Sequence, residues 1–355
     1  MSSFAFYRFP HEESYTRVVL TEGEPEELLS PELLNGRSGF VMAPFVPSPE
    51  CPILLFPKER CTINRETGNK GIKGSKGSKG SSSDPSPAYV RAFSRFHEAL
   101  HTGHFSKLVL ARFEEVKTGK LSPEHLFEDA CQLYPRMFVA LVSTPRSGTW
   151  LMATPEVLLR SEPRGYRTMA LAGTMKLEGS LLNFDNPSQE LVQQIRWSQK
   201  NIQEQRYVAS YIKECLKNFS DDVVEDGPYT TRAANLVHLR SDFRFTLHQE
   251  KGIGSLLAVL HPTPAVCGLP KQAAQTFILE NEDSSRRYYS GFCGPLSLTS
   301  EQDGTALYVS LRCMEIAADT CRLYAGGGLL RDSIERQEWE ETEAKMQTMR
   351  SLINL

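Results

Sequence analysis

In two stretches of the chain, 138–153 and 288–326, strand-forming runs follow one another with turns rather than helices between them, and this ordering constrains the fold more than any other feature. Phe138 to Ser143 and Trp150 to Ala153 read as a hairpin around Ser147-Gly148. Tyr288 to Gly294, Ala306 to Ile316 and Thr320 to Gly326 read as three further strands in succession. A parallel pair needs a long crossover, usually a helix, so strands joined by short turns must be antiparallel. Thr16 to Leu20, Gly39 to Ala43, Lys107 to Phe113 and Phe243 to Leu247 are additional strand candidates. Apolar residues at helical spacing mark Tyr89 to Thr102, Pro123 to Leu133, Ser188 to Phe219 (interrupted near Trp197), Ile253 to Leu260 and Ile334 to Ile353. The expected class is α+β with a mostly antiparallel sheet, not a doubly wound sheet.

With 355 residues, 40% of them hydrophobic and 23% charged, the chain can bury a large core. Its net charge of -3 gives no electrostatic reason to expect nucleic acid or an anionic membrane as partner. No apolar run reaches the roughly 20 residues that span a bilayer, and Met1 to Pro10 lacks the apolar core of a signal peptide. A cytoplasmic monomer is the expectation. The eight cysteines form no CxxC pair, so reduced thiols are expected rather than disulfides or a zinc site. Residues 69–87, rich in Gly, Ser and Lys, cannot bury apolar surface and read as a flexible loop. It closes a strand-rich N-terminal part, 1–88, of the same domain, and 89–355 form the catalytic region.

Several residues could carry chemistry, each with a plainer alternative. Lys107 opens an apolar strand in FSKLVLAR, where a buried amine could take a proton; a surface lysine at a strand end is the rival reading. Glu156 follows Pro155 at the edge of an apolar run, where a carboxyl can stay protonated; a solvated glutamate beside a turn is the rival. In ALAGT, Gly173 lets the backbone approach a ligand and Thr174 adds a hydroxyl, although a simple tight turn reads the same way. Glu204 lies on one helix, and Glu338 and Glu341 lie three apart on another. Such carboxylates can hold Mg2+, or can form a solvated acidic face. The prolines of HPTPAVCGLPK preset an extended segment, which with His238 could line a pocket. A strand-borne Arg312, beside the glycines of Ala325 to Gly328, could clamp a carboxylate.

The order of these features decides more than any one of them. FSKLVLAR, ATPEVLL, ALAGT, KNIQEQ, LVHL, HPTPAVCGLPK, RRYYSGFCG, YVSLR, LYAGGG and EWEETEAK resemble, in sequence, the isochorismate synthase branch of the chorismate-utilising enzymes. The match runs from about Tyr89 to the C-terminus. The resemblance implies a single large α+β domain of two stacked antiparallel sheets flanked by helices. It implies that Lys107 is the general base and Glu156 the general acid, and that Glu204, Glu338 and Glu341 surround Mg2+. Gly173, Thr174, His238, Tyr289, Arg312, Gly326 and Lys345 correspond to substrate-binding positions for chorismate. The product, isochorismate, opens menaquinone and siderophore routes.

Two motifs set the branch. HPTPAVCG stands where ammonia-using relatives carry a proline-glycine-serine motif, and Ala172 stands where aminodeoxychorismate synthases often place a nucleophilic lysine. Both differences imply water as the nucleophile. Salicylate synthases share that preference and add pyruvate elimination, which leaves them as the alternative. A homologue that kept the fold but lost catalysis is a second alternative, disfavoured because Lys107, Glu156, Glu204 and Glu341 are all present. Asn201 departs from the family pattern, at a position often acidic.

Overall fold

Among the described residues, eighteen strands are assembled in the computed structural model into two antiparallel sheets, and six α-helices pack against them. The described residues are 3–67, 84–176, 195–233, 236–298 and 304–353. The first sheet runs, edge to edge, β14 (Gly268–Leu269), β7 (Lys107–Lys117), β18 (Thr320–Leu329), β17 (Cys313–Ile316), β9 (Gly148–Thr154), β8 (Phe138–Thr144), β1 (Phe4–Arg8), β2 (Ser14–Leu20) and β6 (Cys61–Thr67). The second runs β12 (Val224–Ala233), β13 (Leu236–Phe245), β11 (Gly165–Lys176), β10 (Val157–Glu162), β16 (Ala306–Val309), β15 (Phe292–Leu296), β4 (Gly39–Ala43), β5 (Ile53–Pro57) and β3 (Glu26–Leu28). The N-terminal strands thus enter both sheets.

The inner faces meet in one core. Tyr7, Phe40, Phe56, Phe138, Trp150 and Tyr308 are buried there, and Phe138 stacks on Tyr308 with ring centroids 4.2 Å apart. Burying a large apolar side chain is worth roughly 1.5–3 kcal/mol, so this layer fixes the spacing between the sheets. Outside, α3 (Gln199–Leu216) and α4 (Ile253–Leu260) pack on the second sheet through Val208, Ile212 and Leu257. The helices α2 (Pro123–Leu133) and α6 (Glu335–Ile353) cover the first through Phe127, Met346 and Met349. The remaining two, α1 (Pro87–His101) and α5 (Lys271–Asn281), close the β7 edge. Ser86, Ser122 and Ser198 cap the helices α1, α2 and α3, each hydroxyl accepting an amide three residues on.

The α+β class, the stacked sheets and the flanking helices match the expectation. All eight cysteines are free thiols. Most of the expected loop 69–87, and residues 188–194 of the expected long helix, lie outside the described residues.

Three local readings are corrected. The run Ala306 to Ile316 is two strands in different sheets, because the chain turns sharply at Ser310–Arg312; Leu311 N donates to Val309 O (2.8 Å) and Arg312 has φ +45°. Arg312 is therefore in a kink and not on a strand. Tyr288 to Ser290 form a turn before β15, with Ser290 at φ +63°. The segment after His261 is turned rather than extended, since the amides of Val266 and Cys267 both donate to Thr263 O (3.0 Å each).

Candidate active site

The chain crosses from the first sheet to the second between β9 and β10, through Pro155-Glu156, and crosses back between β16 and β17, through Ser310–Arg312. The two crossings run side by side. Ala153 N donates to Arg312 O (3.1 Å), and Val309 N donates to Glu156 O (3.0 Å). Beside them lies a cleft of about 630 Å3. Its wall contains Glu156, Gly173, Thr174, Glu204, His238, Tyr289, Arg312, Gly326 and Lys345. Nine of the residues singled out in the sequence therefore meet in one cavity, although they are spread over both sheets and two helices.

Glu156 is 3% exposed. Burial raises its pKa to about 8, against the opposing pull of Lys107, Lys345 and Arg312, so at neutral pH it carries a proton. Lys107, fully buried, lies behind the cleft wall with Nζ 2.8 Å from Glu204 Oε1. That contact is an ion pair by distance, without the angle of a hydrogen bond. Gly328 makes room for it: a Cβ there would stand 2.1 Å from Glu204 Oε1 and 2.9 Å from Lys107 Cε.

His238 and Arg312 define the opposite wall. His238 Nδ1 lies 3.2 Å from Gly173 O, which can only accept, and Nε2 lies 3.1 Å from Arg312 Nη2, which can only donate. The proton is thus on Nδ1. Burial, then Arg312 and Lys345, hold the His238 pKa well below its usual value, so the ring is neutral. Gly173 has φ +70° at an irregularity in the β11–β13 pairing, which turns its carbonyl toward the ring. Burial lowers Arg312 to about 10, leaving it a cation at neutral pH.

Glu338 and Glu341 approach from α6. Lys345 donates to Glu341 Oε1 (2.6 Å) and to Gly326 O (2.8 Å). Lys200, one turn before Glu204 on α3, pairs with Glu338 Oε1. Burial works against the Lys200 charge, but Glu338, Glu341 and Glu204 outweigh it and push its pKa up. Glu338 Oε2 is buried without a hydrogen-bond partner, and burial pushes its pKa up to about 7. Burial also works on Glu341, yet Lys345 and Lys200 prevail and its pKa is lowered. Among the described residues, no group of three or more acidic, histidine or cysteine side chains is drawn together tightly enough to hold a metal ion.

Sequence reasoning missed Lys200, whose signal was its place four residues before Glu204, on the same helix face. It also missed Val109, Leu171 and Leu311, which with Val266 make an apolar wall. From HPTPAVCGLPK it is Ala265 and Val266 that line the cleft; His261 instead packs edge-on against Phe292 (5.0 Å). Asn201 Nδ2 faces Thr174 O (3.5 Å).

A family model described as "Chorismate binding enzyme" matches residues 59–354. The chain belongs to the chorismate binding enzyme family. Among curated members it is 32% identical over 259 residues to the salicylate biosynthesis isochorismate synthase of Pseudomonas aeruginosa and 29% identical over 256 residues to isochorismate synthase EntC of Escherichia coli. Each alignment takes in 72% of this chain but 52% and 64% of those relatives, so the chain spans less than two thirds of either. Solved structures share the fold. MenF, the menaquinone-specific isochorismate synthase of Escherichia coli, superposes with a TM-score of 0.78 at 23% identity, covering 99% of this chain and 89% of that one. Anthranilate synthase component I of Streptococcus pneumoniae superposes with a TM-score of 0.66 at 15% identity, covering 97% and 89%. Among the described residues no helix is long and apolar enough to cross a membrane.

Proposed function

We propose that this chain is an isochorismate synthase, adding water at C2 of chorismate and releasing the C4 hydroxyl, in a menaquinone or siderophore route. One observation carries the reading: Glu156, whose burial raises its pKa to about 8, shares a cleft with Arg312 and Lys345, and Lys107 is buried behind the wall of that cleft beside Glu204. Chorismate has two carboxylates, which Arg312 and Lys345 can fix. Lys107 must give up its own proton, and with it the ion pair with Glu204, before it can take one from the attacking water, and Glu156 gives one to the departing hydroxyl. Neutral His238 accepts from Arg312 and so aims the guanidinium. Val109, Leu171, Val266 and Leu311 keep bulk water from the ring. Ala172 lines the cleft with a methyl group, so no enzyme amine competes with water there.

Glu204, Glu338 and Glu341 supply hard oxygens of the kind Mg2+ prefers, and the unpartnered Glu338 Oε2 is a free acceptor for it. The donor chemistry fits the ion, but the three carboxylates would have to draw together and leave Lys200, Lys107 and Lys345 before they could hold it. When bound, Mg2+ supplies positive charge that neutralises and orients a substrate carboxylate. The reading also takes the chain as a cytoplasmic monomer, which light scattering tests. The deciding experiment incubates the protein with chorismate and Mg2+ and separates the products by chromatography. Isochorismate upholds the reading. Salicylate with pyruvate makes it a salicylate synthase, and no turnover refutes both.

A further inference from the structure

The strand that carries Lys107 loses its neighbour part-way along. β14 pairs with β7 only at Leu269↔Lys107 and Gly268↔Leu108, flanked by bonds from Ser106 N to Leu269 O (2.9 Å) and from Val109 N to Cys267 O (2.7 Å). There the chain turns away, because Cys267 N is already given to Thr263 O. The exposed groups of the β7 edge are then taken by two side chains from the end of α5 and the loop after it. Arg286 Nη2 donates to Val109 O (2.8 Å), and Glu282 Oε1 accepts from Ala111 N (2.8 Å). Arg286 Nη1 donates to Val266 O (2.6 Å), and its Nε donates to Glu282 Oε2 (2.7 Å). The guanidinium also lies over the Phe45 ring, 4.3 Å from its centroid. Both members of the pair are buried, with side chains 3% and 6% exposed.

We propose that the Arg286–Glu282 pair is a positioning unit for the reaction. It stands in for the missing strand and holds the β7 edge at a set distance from the turned segment 261–267. The two carbonyls that Arg286 grips belong to Val109 and Val266, both of which line the cleft. Val109 is two residues beyond Lys107 and so shares its face of β7. The pair therefore sets where Lys107 stands relative to the Ala265–Val266 wall. Only a planar fork can serve three acceptors in these directions, so lysine cannot replace Arg286.

This inference rests on the chorismate reading for its kinetic test. The variants are Arg286→Lys and the charge-neutral double Arg286→Met with Glu282→Leu, beside Arg322→Lys as a control from an exposed ion pair with Glu115. The measurements are kcat and KM for chorismate with Mg2+, the folded fraction by near-UV circular dichroism, and amide exchange over 107–111 and 261–268. The expected result for both test variants is a fall in kcat per folded molecule of about tenfold to 10²-fold, the scale of a small misplacement of a reacting group. KM should change less than threefold, because Arg312 and Lys345 are untouched. Exchange should quicken in both segments, and the control should match the parent. A purely structural pair would lower the melting temperature but leave kcat per folded molecule within threefold of the parent, which overturns the proposal, as does failure of both variants to fold. If the parent itself does not turn over chorismate, the functional reading fails separately. The exchange data then decide, with unchanged protection in Arg286→Lys overturning the clamp.

Discussion

Gly328→Ala tests the site at the point where packing is tightest. The added Cβ would lie 2.1 Å from Glu204 Oε1, while ordinary contact begins near 3.4 Å, so the carboxylate must retreat by about 1.3 Å. It cannot carry its helix along. The neighbouring Gln205 is tied to β11, with Oε1 accepting from Ala172 N (3.0 Å) and Nε2 donating to Ala170 O (3.2 Å). The side chain must swing instead, which takes Oε1 off Lys107 and changes where both the proposed base and a proposed ion ligand stand. A displacement of about 1 Å can cost about 10²-fold, so kcat/KM should fall by roughly that factor, or about 2.7 kcal/mol in the barrier. Overpacking should also lower stability by about 1–3 kcal/mol. The neighbours calibrate the effect. A Cβ on Gly327 meets Glu338 Oε2 at 3.4 Å, an ordinary contact, so Gly327→Ala should stay within threefold of the parent. One on Gly326 meets the Tyr289 hydroxyl at 2.9 Å and should fall between the two. Isochorismate formation followed by chromatography, with calorimetric titration of Mg2+ in parallel, gives the ranking. Equal kcat/KM for Gly328→Ala and Gly327→Ala would refute the reasoning.

Glu156→Gln should lower kcat by about 10²-fold or more, the scale of a lost general acid. In the parent, activity should decline as pH rises through about 8, where Glu156 loses its proton, and a pH-rate profile unchanged in the variant would remove that role. Lys107→Ala should cost a similar factor, read from single-turnover rates at saturating chorismate. His238 is held neutral when folded, so the unfolded chain alone takes up its proton; its contribution to stability is present above about pH 6.5 and is lost as pH falls below it. Denaturant titrations of the parent and His238→Gln between pH 7.5 and 5.5 should therefore converge toward acid. Chelation of divalent cations should abolish turnover and Mg2+ should restore it, measured by dialysis against EDTA and readdition.

Where local periodicity and local chemistry agreed, the sequence was readable. Pro123–Leu133 and Gly39–Ala43 have the expected bounds, and the Ser147-Gly148 hairpin forms with Gly148 at φ +76°. That Glu156, Gly173, Thr174, Glu204, His238, Tyr289, Arg312, Gly326 and Lys345 would line one cleft was legible because their motifs are contiguous. What escaped detection depends on distant partners. Val224–Ala233 is an edge strand, mostly exposed and broken by Gly227-Pro228, so it shows no alternation. The turn at Arg312 uses a left-handed conformation that arginine rarely adopts, and only packing between the two crossings imposes it. Lys200 and Arg286 sit on polar helix and loop positions that resemble solvated charge until the fold brings Glu338 or the β7 edge against them.

The side-by-side crossings at Glu156 and Arg312 make this end of the sandwich its stitched seam. Sheets that slide or part must do so about a line where the polypeptide itself joins them, and near that line displacement is smallest. Glu156 and Arg312, the proposed proton donor and carboxylate clamp, therefore sit at the pivot, while loosening of the far edges, such as β3 and β6, leaves their separation nearly fixed. Damage there should melt the protein sooner without slowing the molecules that stay folded.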